Sequence, residues 1–85
     1  MYAKQSGATL AKDDGKFYVV FNRSIYEVNE VGARIFDLCN GKNSILEMSN
    51  KLSSMFDVEK ENLEKDIEIF INSLLEYGVI YAKDI

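Results

Sequence analysis

The sequence predicts an α+β domain of winged-helix type: an N-terminal three-stranded antiparallel sheet followed by three α-helices. Three observations carry this reading. Turn signals at Asp13-Asp14-Gly15 and Asn22-Arg23 cut the first third of the chain into short strand-like runs. Two helix-start signals follow, Asn29 with Glu30 and Ser44 with Glu47, each opening an apolar stripe of helical period. A third stripe of the same period ends before Gly78.

Met1 to Gly7 is polar and rich in small residues, which predicts a flexible, frayed end. Ala8 to Lys12 forms the first strand, and Asp13-Asp14-Gly15 supplies a hairpin turn in which Gly15 tolerates positive φ. Phe17 to Phe21 is an unbroken run of aromatic and β-branched residues, the strongest strand signal in the chain. After the tight turn at Asn22-Arg23, Ser24 to Val28 forms the third strand. Strand alternation puts Ser24, Tyr26 and Val28 on one face and Ile25 and Glu27 on the other.

Asn29 caps the first helix and Glu30 places a negative charge in its first turn, where the helix dipole favours one. Val31, Ile35, Phe36, Leu38 and Cys39 are its apolar stripe, and Gly41 is its expected left-handed stop. The capping box at Ser44 and Glu47 opens a second helix whose stripe is Ile45, Met48, Leu52, Met55 and Phe56. The third helix starts near Glu59 and turns Leu63, Ile67, Phe70, Ile71, Leu74 and Leu75 to the core. Val79 to Tyr81 is a short apolar tail expected to pack back on the sheet. With 85 residues and no repeat or internal linker, the whole span 1–85 reads as one domain.

Composition narrows the function classes. Histidine is absent, which removes the usual general base and the commonest metal ligand together. The single cysteine, Cys39, has neither a His to activate it nor a second Cys for zinc, and it falls on the apolar side of its helix. Asp13-Asp14-Gly15 lacks the further ligands of a calcium loop and reads as a turn. No apolar run reaches the length of a membrane span and no signal-peptide pattern is present, so the expected location is the cytoplasm. A non-catalytic protein with no cofactor and no metal follows.

Charge localises on the third helix. From Glu59 to Tyr77, two lysines (Lys60, Lys65) face six carboxylates (Glu59, Glu61, Glu64, Asp66, Glu68, Glu76), so this segment alone accounts for the net charge of −4. A nucleic-acid reader needs a basic recognition surface, because phosphate contacts dominate such affinity. The alternative of a winged-helix DNA-binding regulator therefore falls behind; a purely structural subunit of a larger enzyme stays open as a third reading. One residue departs from the core stripe of this helix. Ile69 projects towards Asn62, Asp66 and Ser73 on the helical wheel, away from Ile67 and Leu74.

The order and spacing of these pieces carry a resemblance. Tyr26-Glu27-Val28-Asn29, Gly32, Ile35, Gly41, the second-helix stripe, Asp66-Ile67-Glu68-Ile69-Phe70, Leu74 and Gly78 together make the stretch from Phe17 to Ile80 resemble the PqqD family. Its members are small leader-peptide-binding domains, or recognition elements, of ribosomally made and modified peptides. The resemblance implies a non-catalytic adaptor whose partner is the leader segment of a precursor peptide, added as an extra strand to the third strand and walled by the third helix. The peptide-binding residues it implies are Ser24, Ile25, Tyr26, Glu27, Val28, Asp66, Ile69, Phe70 and Ser73. A modifying enzyme is the second implied partner, with no nucleic acid and no membrane. The Leu-Asp-x-x-x-Gly-x-Tyr approach to the third strand, common in lasso-peptide members, is absent. That favours a radical-SAM maturase over a lasso-type leader peptidase or cyclase.

Overall fold

The computed structural model describes residues 1–83. The elements are β1 (Tyr2–Lys4), β2 (Thr9–Asp13), β3 (Lys16–Phe21), β4 (Ser24–Val28), α1 (Glu30–Leu38), α2 (Ile45–Phe56), α3 (Lys60–Tyr77) and β5 (Ile80–Ala82). The α+β architecture is the expected one, an antiparallel three-stranded sheet ordered β2-β3-β4 and followed by three helices. The winged-helix likeness is loose, because the three sheet strands all precede the helices.

Two tight turns set the register. Asp14 and Gly15 have φ of 51° and 76°, and Asn22 and Arg23 have φ of 51° and 69°. Positive φ at both central residues is the geometry of a two-residue hairpin whose twist matches its strands. Asp13 therefore pairs with Lys16 and Phe21 with Ser24, which puts Val19 opposite both Leu10 and Tyr26. Val19 is fully buried, and the helices pack on its face of the sheet through Phe36, Met48, Leu52, Ile67 and Ile71.

The caps follow from the side chains that were expected to make them. Asn29 accepts the Gly32 N–H at 2.7 Å, and Ser44 and Glu47 form both halves of the capping box. The Ser44 backbone N–H, which donates to the Glu47 carboxylate, and after it the Ser44 hydroxyl hold that carboxyl below its ordinary pKa. Gly78 ends α3 in the left-handed region at φ 76°.

Five expectations need correction. The first seven residues were expected to fray, but Tyr2–Lys4 is a strand paired with Ile80–Ala82. The apolar tail accordingly pairs with β1 as a two-stranded ribbon, while Val79 and Ile80 join the core cluster that holds Val19. A short strand beside another chain segment satisfies its backbone there, whatever its side chains, and composition alone does not show that. Gly41 has positive φ but does not stop α1, which ends at Leu38 with Cys39 as its C-cap; the Gly41 N–H donates instead to the Tyr2 carbonyl at 2.7 Å. Met55 was placed on the apolar stripe of α2 and is 60% exposed, while its neighbour Phe56 packs against the core. Phe70 and Leu75 are half-buried, not fully covered.

Candidate functional site

The site is built on the outer edge of β4. In a two-residue hairpin the residues flanking the turn exchange both backbone hydrogen bonds, and pairs then alternate along the ladder. Ser24, Tyr26 and Val28 thus turn their N–H and C=O groups to β3, opposite Phe21, Val19 and Phe17. Ile25 and Glu27 turn theirs outwards, away from the sheet. Because β4 is the last strand of the sheet, those groups have no strand partner among the described residues. The side chains follow the other alternation. Tyr26 and Val28 pack against the core, while Ile25, 67% exposed, and Glu27 lie on the outer face.

Across from this edge stands the C-terminal half of α3. Between them lies a cleft of about 290 Å³ lined by Tyr26, Glu27, Val28, Phe70, Ser73, Leu74 and Tyr77. Its lining is mostly apolar. Within the lining, Tyr26 and Tyr77 stack with ring centroids 4.5 Å apart and planes 10° off parallel. The Ser73 hydroxyl donates to the Ile69 carbonyl at 3.3 Å, back-bonding within its own helix.

A second recess of about 290 Å³ lies beyond Phe70, lined by Asn29, Val31, Gly32, Ile35, Val58, Leu63, Asp66 and Phe70. Gly32 explains how that ring fits. A Cβ at position 32 would lie 3.0 and 3.1 Å from two Phe70 ring carbons and 3.2 Å from Asn29 Oδ1. Any other residue there would push the Phe70 ring or the Asn29 side chain back by a few tenths of an ångström.

The expected site residues divide accordingly. Tyr26, Glu27, Val28, Phe70 and Ser73 line the first cleft, and Asp66 lines the second. Ser24 and Ile25 belong to the strand but line neither cleft. Ile69 lies outside the core at 63% exposure, as the helical wheel indicates, and it too lines neither cleft. Tyr77 and Leu74 line the cleft and were missed as site residues. The signal was present, because Asp66, Phe70, Ser73 and Tyr77 follow one another at spacings of four, three and four along one side of the helix. Val58 and Gly32 carried no such signal, since their role depends on how α1 and α3 meet.

The groups that carry covalent or metal chemistry are elsewhere. Cys39 is fully buried, donates to the Ile35 carbonyl at 3.3 Å, and has its thiol pKa pushed up to about 12 by burial, against a weaker pull from Lys4. A thiol in that state is neither a nucleophile nor a ligand at neutral pH. Among the described residues, no three His, Cys, Asp or Glu side chains gather as a metal site. No helix there is long and apolar enough to cross a membrane.

An open edge strand facing a helix across an apolar cleft is the arrangement that strand addition requires of a peptide-accepting domain. Residues 15–80 match the family model of coenzyme PQQ synthesis protein D (PqqD), and the chain belongs to that family. A PqqA binding protein of Methylococcus capsulatus is 26% identical over 65 residues, covering 76% of this chain and 68% of that protein. Among solved structures, the PqqD truncation of Methylobacterium extorquens PqqCD, described as a stand-alone RiPP recognition element, superposes with a TM-score of 0.83 at 17% identity. That match covers 95% of this chain and 88% of the other. A lasso peptide synthetase B1 complexed with its leader peptide gives a TM-score of 0.78 at 22% identity, covering 95% and 98% of the two chains.

Proposed function

We propose that this protein is a non-catalytic, cytoplasmic adaptor that binds the leader segment of a ribosomally made precursor peptide and presents it to a separate modifying enzyme. The observation that carries the proposal is the outward-facing backbone of Ile25 and Glu27 beside an apolar cleft walled by α3. The leader adds to β4 as a further strand. Backbone hydrogen bonds at Ile25 and Glu27 supply affinity, and pockets floored by Tyr26, Val28, Phe70 and Ser73 supply register. Ile25 contributes its peptide group, because its side chain lies on the opposite face. Ser24 begins the strand, and Asp66 and Ile69 supply the outer wall on α3.

Family membership supports this reading, as do a relative named for binding PqqA and a similar fold solved with a leader peptide. A radical-SAM maturase is the favoured partner enzyme, on the missing lasso-type motif before β4.

The test is an amide-resolved NMR titration with a synthetic leader segment. The Ile25 and Glu27 amides should shift and become protected from exchange, with Ser73 and Tyr77 shifting beside them. The acidic wall around Asp66 should favour leaders carrying Lys or Arg, and affinity should fall as salt rises, with screening over about 8–10 Å near physiological ionic strength. Shifts confined to β1, β5 or α2 would overturn the assignment.

A further inference from the structure

The two recesses on either side of Phe70 follow one another along a single groove. On one wall the chain runs from Tyr26 and Val28 of β4 into Asn29, Val31 and Gly32 at the start of α1. On the other, α3 runs the opposite way, from Tyr77 and Ser73 beside β4 to Phe70, Asp66 and Leu63 beside α1. A guest strand paired with Ile25 and Glu27 and continued past Val28 therefore crosses Phe70 and reaches the second recess.

We propose that this second recess is a further side-chain pocket of the same peptide site, taking an aliphatic or aromatic side chain whose sequence neighbour is Lys or Arg. We also propose that Gly32 sets the pocket's size by seating the Phe70 ring. The inference rests on the strand-addition reading of the groove and names what that reading leaves open, the pattern a ligand must carry. The chemistry follows from the lining. Val31, Ile35, Val58 and Leu63 are apolar. The Asn29 side-chain oxygen is already engaged by the Gly32 N–H at 2.7 Å, so it offers a guest little. The exposed Asp66 carboxylate has no ion-pair partner among the described residues and supplies a negative rim. Side chains entering the two recesses from one strand leave its same face, so they are separated by an even number of residues.

The probe is a random twelve-residue peptide library displayed on yeast and selected against the full chain, with the tightest binder resynthesised and alanine-scanned. Two apolar positions an even number apart should each cost about fivefold or more in affinity, with a basic residue next to one of them. Val58→Ser, at an exposed rim position, should weaken the parent peptide roughly fivefold while leaving melting nearly unchanged. It should have no effect on the peptide whose second-recess side chain is already Ala, which is the coupling expected of two groups in contact. Gly32→Ala should push the Phe70 ring aside and shift the preference at that position to a different side-chain size. A single sensitive position, or no coupling to Val58→Ser, with Ile25→Pro still weakening binding about tenfold, would remove the second pocket and leave the groove standing. No selectable peptide, or binding indifferent to Ile25→Pro, would remove the groove and the pocket together.

Discussion

Two strands of this protein, the three-residue β1 and the five-residue β4, lie under opposite constraints. β1 is bonded on both sides. The Met1 carbonyl accepts from Lys83 at 2.7 Å, and Gln5 donates to Val79 at 2.9 Å, towards β5. On its other side Lys4 donates to Cys39 at 3.1 Å, and Tyr2 accepts from Gly41. Lys4 adds a side-chain bond to the Asp37 carbonyl at 3.2 Å, placing a cation at the C-terminal end of α1 where the helix dipole favours one. β4 has a partner on one side only, and its free edge looks onto a cleft. Open edges invite unwanted pairing and are normally covered. Here α3 stands opposite the edge and the strand is only five residues long. The chain ties β1 and β5 into the body of the fold and leaves one edge of β4, the strand proposed to meet the leader, without a strand partner among the described residues.

The sharpest way to separate the two roles is to damage the closed ribbon. Ile80→Ala removes a side chain 2% exposed in β5 and should cost about 2–5 kcal/mol of stability. Peptide affinity measured on the folded fraction should be unchanged. A binding loss as large as the stability loss would mean the two strands are not independent.

The buried thiol reports on the same region, because Cys39 joins α1 to β1 through its carbonyl. Its pKa is raised to about 12 by burial, so the folded state holds the proton through a range where the unfolded thiol loses it. This contribution is fully present below about pH 8.5 and is lost as pH rises towards the folded value, at up to about 1.4 kcal/mol per pH unit. Denaturant titrations of wild type and Cys39→Ala should show a stability gap that is constant to about pH 8.5 and narrows above it. A gap independent of pH would place the thiol in contact with water.

On the open edge the order reverses. Ile25→Pro removes an outward N–H, which an edge strand tolerates, and should weaken leader binding by roughly tenfold, or about 1.4 kcal/mol, with a smaller change in melting. Calorimetric titration beside thermal melting on the same samples decides it. Equal affinity in a folded variant would move the peptide off β4.

The smallest effects distinguish neighbours on α3. Phe70→Ala should cost less than the roughly 3–5 kcal/mol of a fully buried Phe, because the ring is half exposed between the two recesses. Ile69→Ala should change stability by less than about 0.5 kcal/mol, as its side chain is 63% exposed. If Ile69 contacts the leader, binding alone should weaken by about 1 kcal/mol. Normal binding would confine the wall to the side bearing Phe70, Ser73 and Tyr77.

Local chemistry determined much of this protein from sequence. Asn29, Ser44 with Glu47, and Gly78 set helix ends because each satisfies backbone groups within a few residues of itself. Asp14-Gly15 and Asn22-Arg23 set the hairpins by accepting positive φ, and strand register followed from their length. Alternation then placed Tyr26 and Val28 inwards and Ile25 outwards, and helical period placed Ile69 outside the core. What required the tertiary structure was every feature made by two segments distant in sequence. Tyr2–Lys4 is a strand because Ile80–Ala82 and Cys39–Gly41 lie beside it, and nothing in its own residues demands one. Tyr77 belongs to the cleft because Tyr26 stacks on it, and Gly32 matters because Phe70 arrives from 38 positions along the chain to rest against its bare Cα. Caps and turns are energies of neighbours in sequence; a groove is an energy of neighbours in space, which only the packed chain defines.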